Sequence, residues 1–141
     1  MDIILQCGKS KLKNKARVDL MYTTGLWNIY RKYKPIKPHR VFVLSALYGL
    51  KEGSEVIKPY NLQLTEKRKV KPYEIHFSKL LNRINIQASN YSITKAYFVG
   101  SNLYYKTLKI AGVTTYHIRQ NNNKHGYMYA ALKSFLESNN A

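Results

Sequence analysis

An apolar run from Ile3 to Cys7 breaks at Gly8-Lys9-Ser10, a pattern in which backbone N–H groups, a lysine and a hydroxyl can together hold an anion. It is not an ATPase loop. Such a loop needs another glycine five residues before Gly8, and that position falls inside the run. Lys11, Lys13, Lys15 and Arg17 follow at alternate positions, so the segment is a row of cations suited to phosphates. A second constellation is Ser45, at the end of another apolar run, with Tyr48-Gly49 just after it and Pro59-Tyr60 further on. Ser45 offers a hydroxyl, Tyr48 and Tyr60 offer rings on which a base can stack, and Gly49 permits a tight turn.

Excising a base requires a carboxylate or amide near the sugar and a donor to the leaving group. Acids are scarce here. Asp19, Glu52 and Glu55 are the carboxylates near these motifs, and Asn61 and Asn102 are the amides. The catalytic expectation is therefore Asp19, Ser45 and Asn61, with Ser101 and Asn102, which follow a third apolar run, in the base pocket. The plainer reading of Asp19 is a residue favoured at a helix start by the helix dipole. His39, His76, His117 and His125 lack metal-ligand spacing, so neither a metal nor another cofactor is expected. His117 closes a strand-like run and could activate Cys7 as a thiol, although a strand-end cysteine also serves as a small buried residue.

Four pieces in order carry a resemblance: Cys7-Gly8-Lys9-Ser10-Lys11, Met21-Tyr22-Thr23 with Leu26-Trp27, Leu44 to Leu50, and Ile57-Lys58-Pro59-Tyr60 with Leu64. Together they resemble the DUF6884 family. The Ser45 to Leu50 and Pro59-Tyr60 pieces are also similar to the peroxide-stress YaaA (DUF328) proteins. The match is good over residues 3 to 64 and looser through Val99-Gly100, Leu103-Tyr104 and Gly126. The resemblance implies an α/β domain associated with DNA, adds Tyr22 and Thr23 to the pocket, and suggests by architecture a relation to uracil-DNA-glycosylase-like folds. The chain departs from the family at Leu47, often Lys, and at Asn61, often Asp. If that acid is catalytic in relatives, it is lost here.

These residues need a scaffold. Leu26, Ile29, Tyr30 and Tyr33 have helical spacing, which predicts a helix over roughly residues 17–33, stopped by Pro35 and Pro38. Val41 to Ser45, Lys95 to Val99 and Val113 to Ile118 read as further strands, and Phe77 to Ile84, Leu103 to Ala111 and Met128 to Phe135 as helices. The alternation predicts a single compact α/β domain over residues 1–141, with a mostly parallel sheet of about four strands and helices on both faces. Cys7, Ser45, Gly100 and His117 then share one sheet edge. There Ser45, Tyr48 and Tyr60 are expected to line one pocket, with Lys9 and Ser10 on its phosphate side. The connection from Ala46 to Val70 is long enough to carry structure or function of its own.

Charge names the partner class. Twenty-four Lys and Arg against seven Asp and Glu give a formal net charge of +17, and no carboxylate lies between Arg83 and Leu136. Such a surface suits a polyanion, so the expected partner is DNA or another nucleic acid, or a nucleotide. A single cysteine excludes an internal disulfide. The apolar runs are too short to span a bilayer and the N-terminus lacks a signal-peptide pattern, so the expected location is cytoplasmic, with no membrane partner. The expected function is a DNA-binding protein with a base or nucleotide pocket at the strand ends. The alternatives are a nucleobase N-glycosidase acting on modified DNA and a binder of small phosphorylated nucleotides.

Overall fold

The structure, a computed structural model, describes residues 1–64, 71–119 and 125–139, with the backbone alone for 71–75 and 125–126. Five strands form the main sheet: β1 (Asp2–Gln6), β3 (Arg40–Ser45), β4 (Gly49–Glu52), β6 (Ala96–Val99) and β7 (Thr115–His117). Their spatial order is β4-β3-β1-β6-β7, and every pairing is parallel except β3 with β4. The mostly parallel α/β expectation holds, with one strand more than the sequence suggested. That strand comes from the long connection after Ala46, which also holds β5 (Val56–Ile57), paired antiparallel with the short β2 (Ala16–Arg17). Residues 65–70 of that connection lie outside the described residues, as does the side chain of His125.

The helices are α1 (Val18–Met21), α2 (Leu26–Tyr33), α3 (Lys71–Asn90), α4 (Asn102–Ile110) and α5 (His125–Ser138). The single helix expected over residues 17–33 is thus two. The chain leaves α1 at Tyr22, which bridges to Lys11, and re-enters a helix only after Gly25. Helix α2 packs on α5, while α3 packs on β4 and α4. Ile3, Ile4 and Leu5 are all fully buried, and because successive strand residues point to opposite faces, both faces of the sheet are covered. Each such side chain contributes roughly 1.5–3 kcal/mol by its burial.

Topology locates the crevice. From β1 the chain crosses to β3 on one side, whereas from β6 it crosses to β7 on the other, so the winding reverses between β1 and β6. In open α/β sheets ligands bind outside the carboxyl ends of the strands at this reversal. Here those ends are Gln6-Cys7 and Gly100-Ser101. Among the described residues no helix is long and apolar enough to cross a membrane.

Candidate functional site

Parallel register brings the four strand ends together. Gln6 stands opposite Leu44, Leu5 opposite Val99 and Phe98 opposite His117, which places Cys7, Ser45, Gly100 and His117 on one edge. A cleft of about 440 Å³ opens there. Its floor is Gln6, Cys7 and Gly8, one wall is Thr24 to Leu26, and the opposite side is Ser101 and Tyr104; Gln63-Leu64 and Met128-Tyr129 close it. Lys9 lies on the rim.

The walls are tied to the floor by specific bonds. The Ser101 N–H donates to Gln6 Oε1 at 2.7 Å, and the Trp27 indole N–H donates to the Gln6 carbonyl at 3.1 Å. Gly100 is required by this crossing, since a Cβ there would stand 2.5 Å from Phe98 Cζ and 2.9 Å from the Gln6 side chain. The Leu64 N–H donates to the Tyr104 hydroxyl at 3.1 Å, and that hydroxyl lies 3.6 Å from Cys7 Sγ. One phenol therefore holds the 63–64 wall to the end of β1.

Two helices begin at the cleft, and neither is capped by a side chain. Gly25 at the start of α2 has none to offer, and the Ser101 hydroxyl at the start of α4 makes no cap bond. The first-turn N–H groups of a helix have no intrahelical partner and carry partial positive charge, so both starts favour an anion in the space between them. No carboxylate lines the cleft among the described residues.

The other sequence-predicted residues are spread over several places. Tyr22, Ser45, Tyr48 and Tyr60 do come together, but as a packed cluster beside the cleft and not as its walls. The Tyr22 and Tyr60 hydroxyls are 2.7 Å apart, and the Tyr48 and Tyr60 rings meet edge to face at 5.3 Å. Burial pushes the Tyr22 and Tyr60 phenols well above their ordinary pKa, so both stay neutral. Ser45 is fully buried, and its oxygen accepts the N–H groups of Leu47 and Tyr48, which makes it a turn anchor. Lys11 Nζ sits 4.6 Å from the centre of the Tyr60 ring, and burial lowers its pKa while nearby Cys7 acts in the opposite direction.

Asp19 and Arg17 lie elsewhere. They pair with each other at 2.8 Å, and the Asp19 N–H donates to the Gly53 carbonyl near the start of β3, away from the strand-end cleft. The expected catalytic set is therefore not assembled: Asp19 is in this ion pair, Ser45 is enclosed in its turn, and Asn61 is exposed. Glu52 and Glu55 bond to Ser54 and Tyr91. Lys9, Ser10, Lys13 and Lys15 are exposed, with the Ser10 carbonyl accepting the Thr23 N–H. Thr23 itself is exposed while Thr24 lines the cleft, and Asn102 Oδ1 accepts from Arg119 at 3.3 Å. His117 does not meet Cys7: its Nε2 lies 2.8 Å from the Gly100 carbonyl, and its ring stacks on Tyr105.

Sequence reasoning missed Gln6, Thr24, Gly25 and Tyr129 of the cleft, and Gln87 outside it. Gln87 Oε1 accepts the Leu50 N–H at 2.7 Å and its amide donates to the Tyr48 carbonyl at 2.8 Å, clamping the turn after β3. Gly25, placed just before the apolar periodicity of α2, was the one legible signal, as a helix-start residue. Among the described residues no group of three His, Cys, Asp or Glu side chains is arranged to hold a metal.

No curated protein and no solved structure matches the chain significantly. Residues 3–133 match the family described as a family of unknown function, DUF6884, and the chain belongs to that family.

Proposed function

We propose that the protein binds DNA and takes one nucleotide into the strand-end cleft, its phosphate toward Lys9 and the starts of α2 and α4. The observation that carries this reading is the meeting of two uncapped helix starts and a lysine in a crevice at the winding reversal, with no carboxylate lining it among the described residues. The formal charge of +17 supports a polyanionic partner, and the likeness of the Ser45 to Leu50 and Pro59-Tyr60 pieces to the YaaA proteins supports DNA in particular. A cytoplasmic location is part of the proposal. The N-glycosidase alternative lacks support from the described carboxylates, because Asp19, Glu52 and Glu55 are all engaged outside the cleft.

Calorimetric titration with thymidine and with thymidine monophosphate tests the reading. The monophosphate should bind at least tenfold more tightly, and Lys9→Ala should erase most of that difference while leaving thymidine unaffected. Equal affinity for the two ligands, or no binding of either, would refute the phosphate assignment. Mass spectrometry of bases released from modified DNA decides the glycosidase alternative.

A further inference from the structure

The cleft is one end of a longer feature. A second depression, about 390 Å³, is lined by Lys15, Tyr48, Lys51, Val56, Ile57 and Lys58. Close contacts link the two. Lys9 on the cleft rim accepts at its carbonyl from Lys11 Nζ at 3.2 Å; Lys11 Nζ stands over the Tyr60 ring at 4.6 Å; and Tyr60 meets Tyr48, in the second depression, at 5.3 Å. Two lysines and then two aromatic rings, each touching the next, thus connect one depression to the other.

The second depression is built to present this chemistry. The Tyr48 hydroxyl donates to the Lys58 carbonyl at 3.1 Å, Ser45 Oγ and Gln87 fix its backbone, and Arg83 donates to the Leu47 carbonyl at 2.6 Å. The Tyr48 side chain is therefore oriented before any ligand arrives. Lys15 and Lys58 are exposed, and neither appears in an ion pair among the described residues; Lys51 is 3.8 Å from Glu55, which lessens its contribution. Exposed Val56 adds an apolar contact at the rim.

The geometry points to a single-stranded nucleic acid as the occupant, running from the cleft across Lys11 and Tyr60 into the second depression, with phosphates at Lys15 and Lys58 and a base against Tyr48. Lysines alone would fit any polyanion. The half-buried Tyr48 ring among those lysines distinguishes an unpaired strand, because only splayed bases offer their faces to side chains, and stacking on aromatics with phosphate neutralisation is how sequence-tolerant strand binders work. This inference rests on the nucleotide reading of the cleft for one end of its path, and the second depression can be tested separately.

The test uses the full chain and a ladder of oligothymidylates from the monomer to the octamer, titrated by fluorescence anisotropy, with the wild type beside a Lys15→Glu, Lys58→Glu double variant. Both side chains are exposed, and a thermal melt checks that the variant folds. Wild-type affinity should rise with length, and the double variant should lose roughly tenfold or more on the octamer while binding the monomer normally. Its salt slope should become shallower by about 1.4, the value for two lost phosphate contacts on a single strand. If affinity does not grow beyond the monomer, or the variant binds the octamer as the wild type does, the strand path is overturned and the cleft reading survives. If the monomer fails to bind while the octamer binds in a Lys15- and Lys58-dependent way, the path stands and the cleft reading falls. Competition by duplex DNA or by polyglutamate of equal charge, as effective as the octamer, would overturn the assignment to a single strand.

Discussion

Replacing Tyr104 by Phe removes one oxygen and keeps the ring, so it probes the hydroxyl that holds the cleft wall. The Leu64 N–H donates to that oxygen, and both residues are buried, at 6% and 3% exposure, so among the described residues the donor loses its acceptor. An unsatisfied buried donor costs about 1–3 kcal/mol, and the 3.6 Å sulfur contact of Cys7 adds little. A loss of about 2 kcal/mol is expected. In a chain of this size that corresponds to a melting temperature lower by roughly 8 °C. Because the bond ties down a wall segment, hydrogen exchange at Leu64 should report it locally, with protection reduced roughly 30-fold for the same 2 kcal/mol. Denaturant titration and exchange by NMR measure the two quantities. Tyr105→Phe is the control, since its hydroxyl makes no hydrogen bond among the described residues, and it should change stability by less than about 0.5 kcal/mol. Stability of Tyr104→Phe within that margin, with Leu64 still protected, would show that the phenol does not hold the wall.

Gly49→Ala should destabilise by about 2–3 kcal/mol in a denaturant titration, because Gly49 has φ +71° and a Cβ there runs into Gln87 Oε1, breaking the clamp on the Tyr48 turn. A neutral result would mean the turn does not depend on Gln87. His117 should titrate below the ordinary histidine value, since burial outweighs the Gly100 carbonyl, and Arg119 adds to the lowering. As the pH falls from about 6.5 the unfolded chain takes up a proton before the folded one does, so the His117 contribution to stability, full above about 6.5, is lost toward the lower folded pKa. His117→Phe should flatten that part of the stability profile, and NMR titration of the imidazole shows directly whether its pKa lies where expected.

Much of the scaffold was legible in the chain. Ile3 to Cys7, Val41 to Ser45 and Lys95 to Val99 are short apolar runs bounded by Gly or polar residues, and such runs become buried strands with little help from context. Their regular separation by helical periodicity dictated parallel pairing, and with it the gathering of Cys7, Ser45, Gly100 and His117 on one edge. The edge strand β4 was not legible, because Gly49–Glu52 has no apolar alternation and forms only by pairing with β3. The division of one expected helix into α1 and α2 likewise depends on a long-range bridge, Lys11 to Tyr22.

The residue types of the site could be read, but their distribution could not. Tyr22, Tyr48 and Tyr60 looked like pocket walls because aromatic rings near a strand end can serve either as stacking surfaces or as packing, and the chain does not say which. Tertiary structure packed Tyr22 and Tyr60 together through a 2.7 Å hydroxyl contact and gave the cleft to Gln6, Thr24, Ser101 and Tyr104. Asp19 likewise pairs with Arg17 and bonds to Gly53 beside the start of β3, contacts that its residue type alone does not specify. Local pattern specifies which segments become strands and helices, because the period of the apolar residues is written along the chain. Which side chains face an opening depends on the order of strands and the crossing of loops, and those arise only when segments far apart in sequence meet.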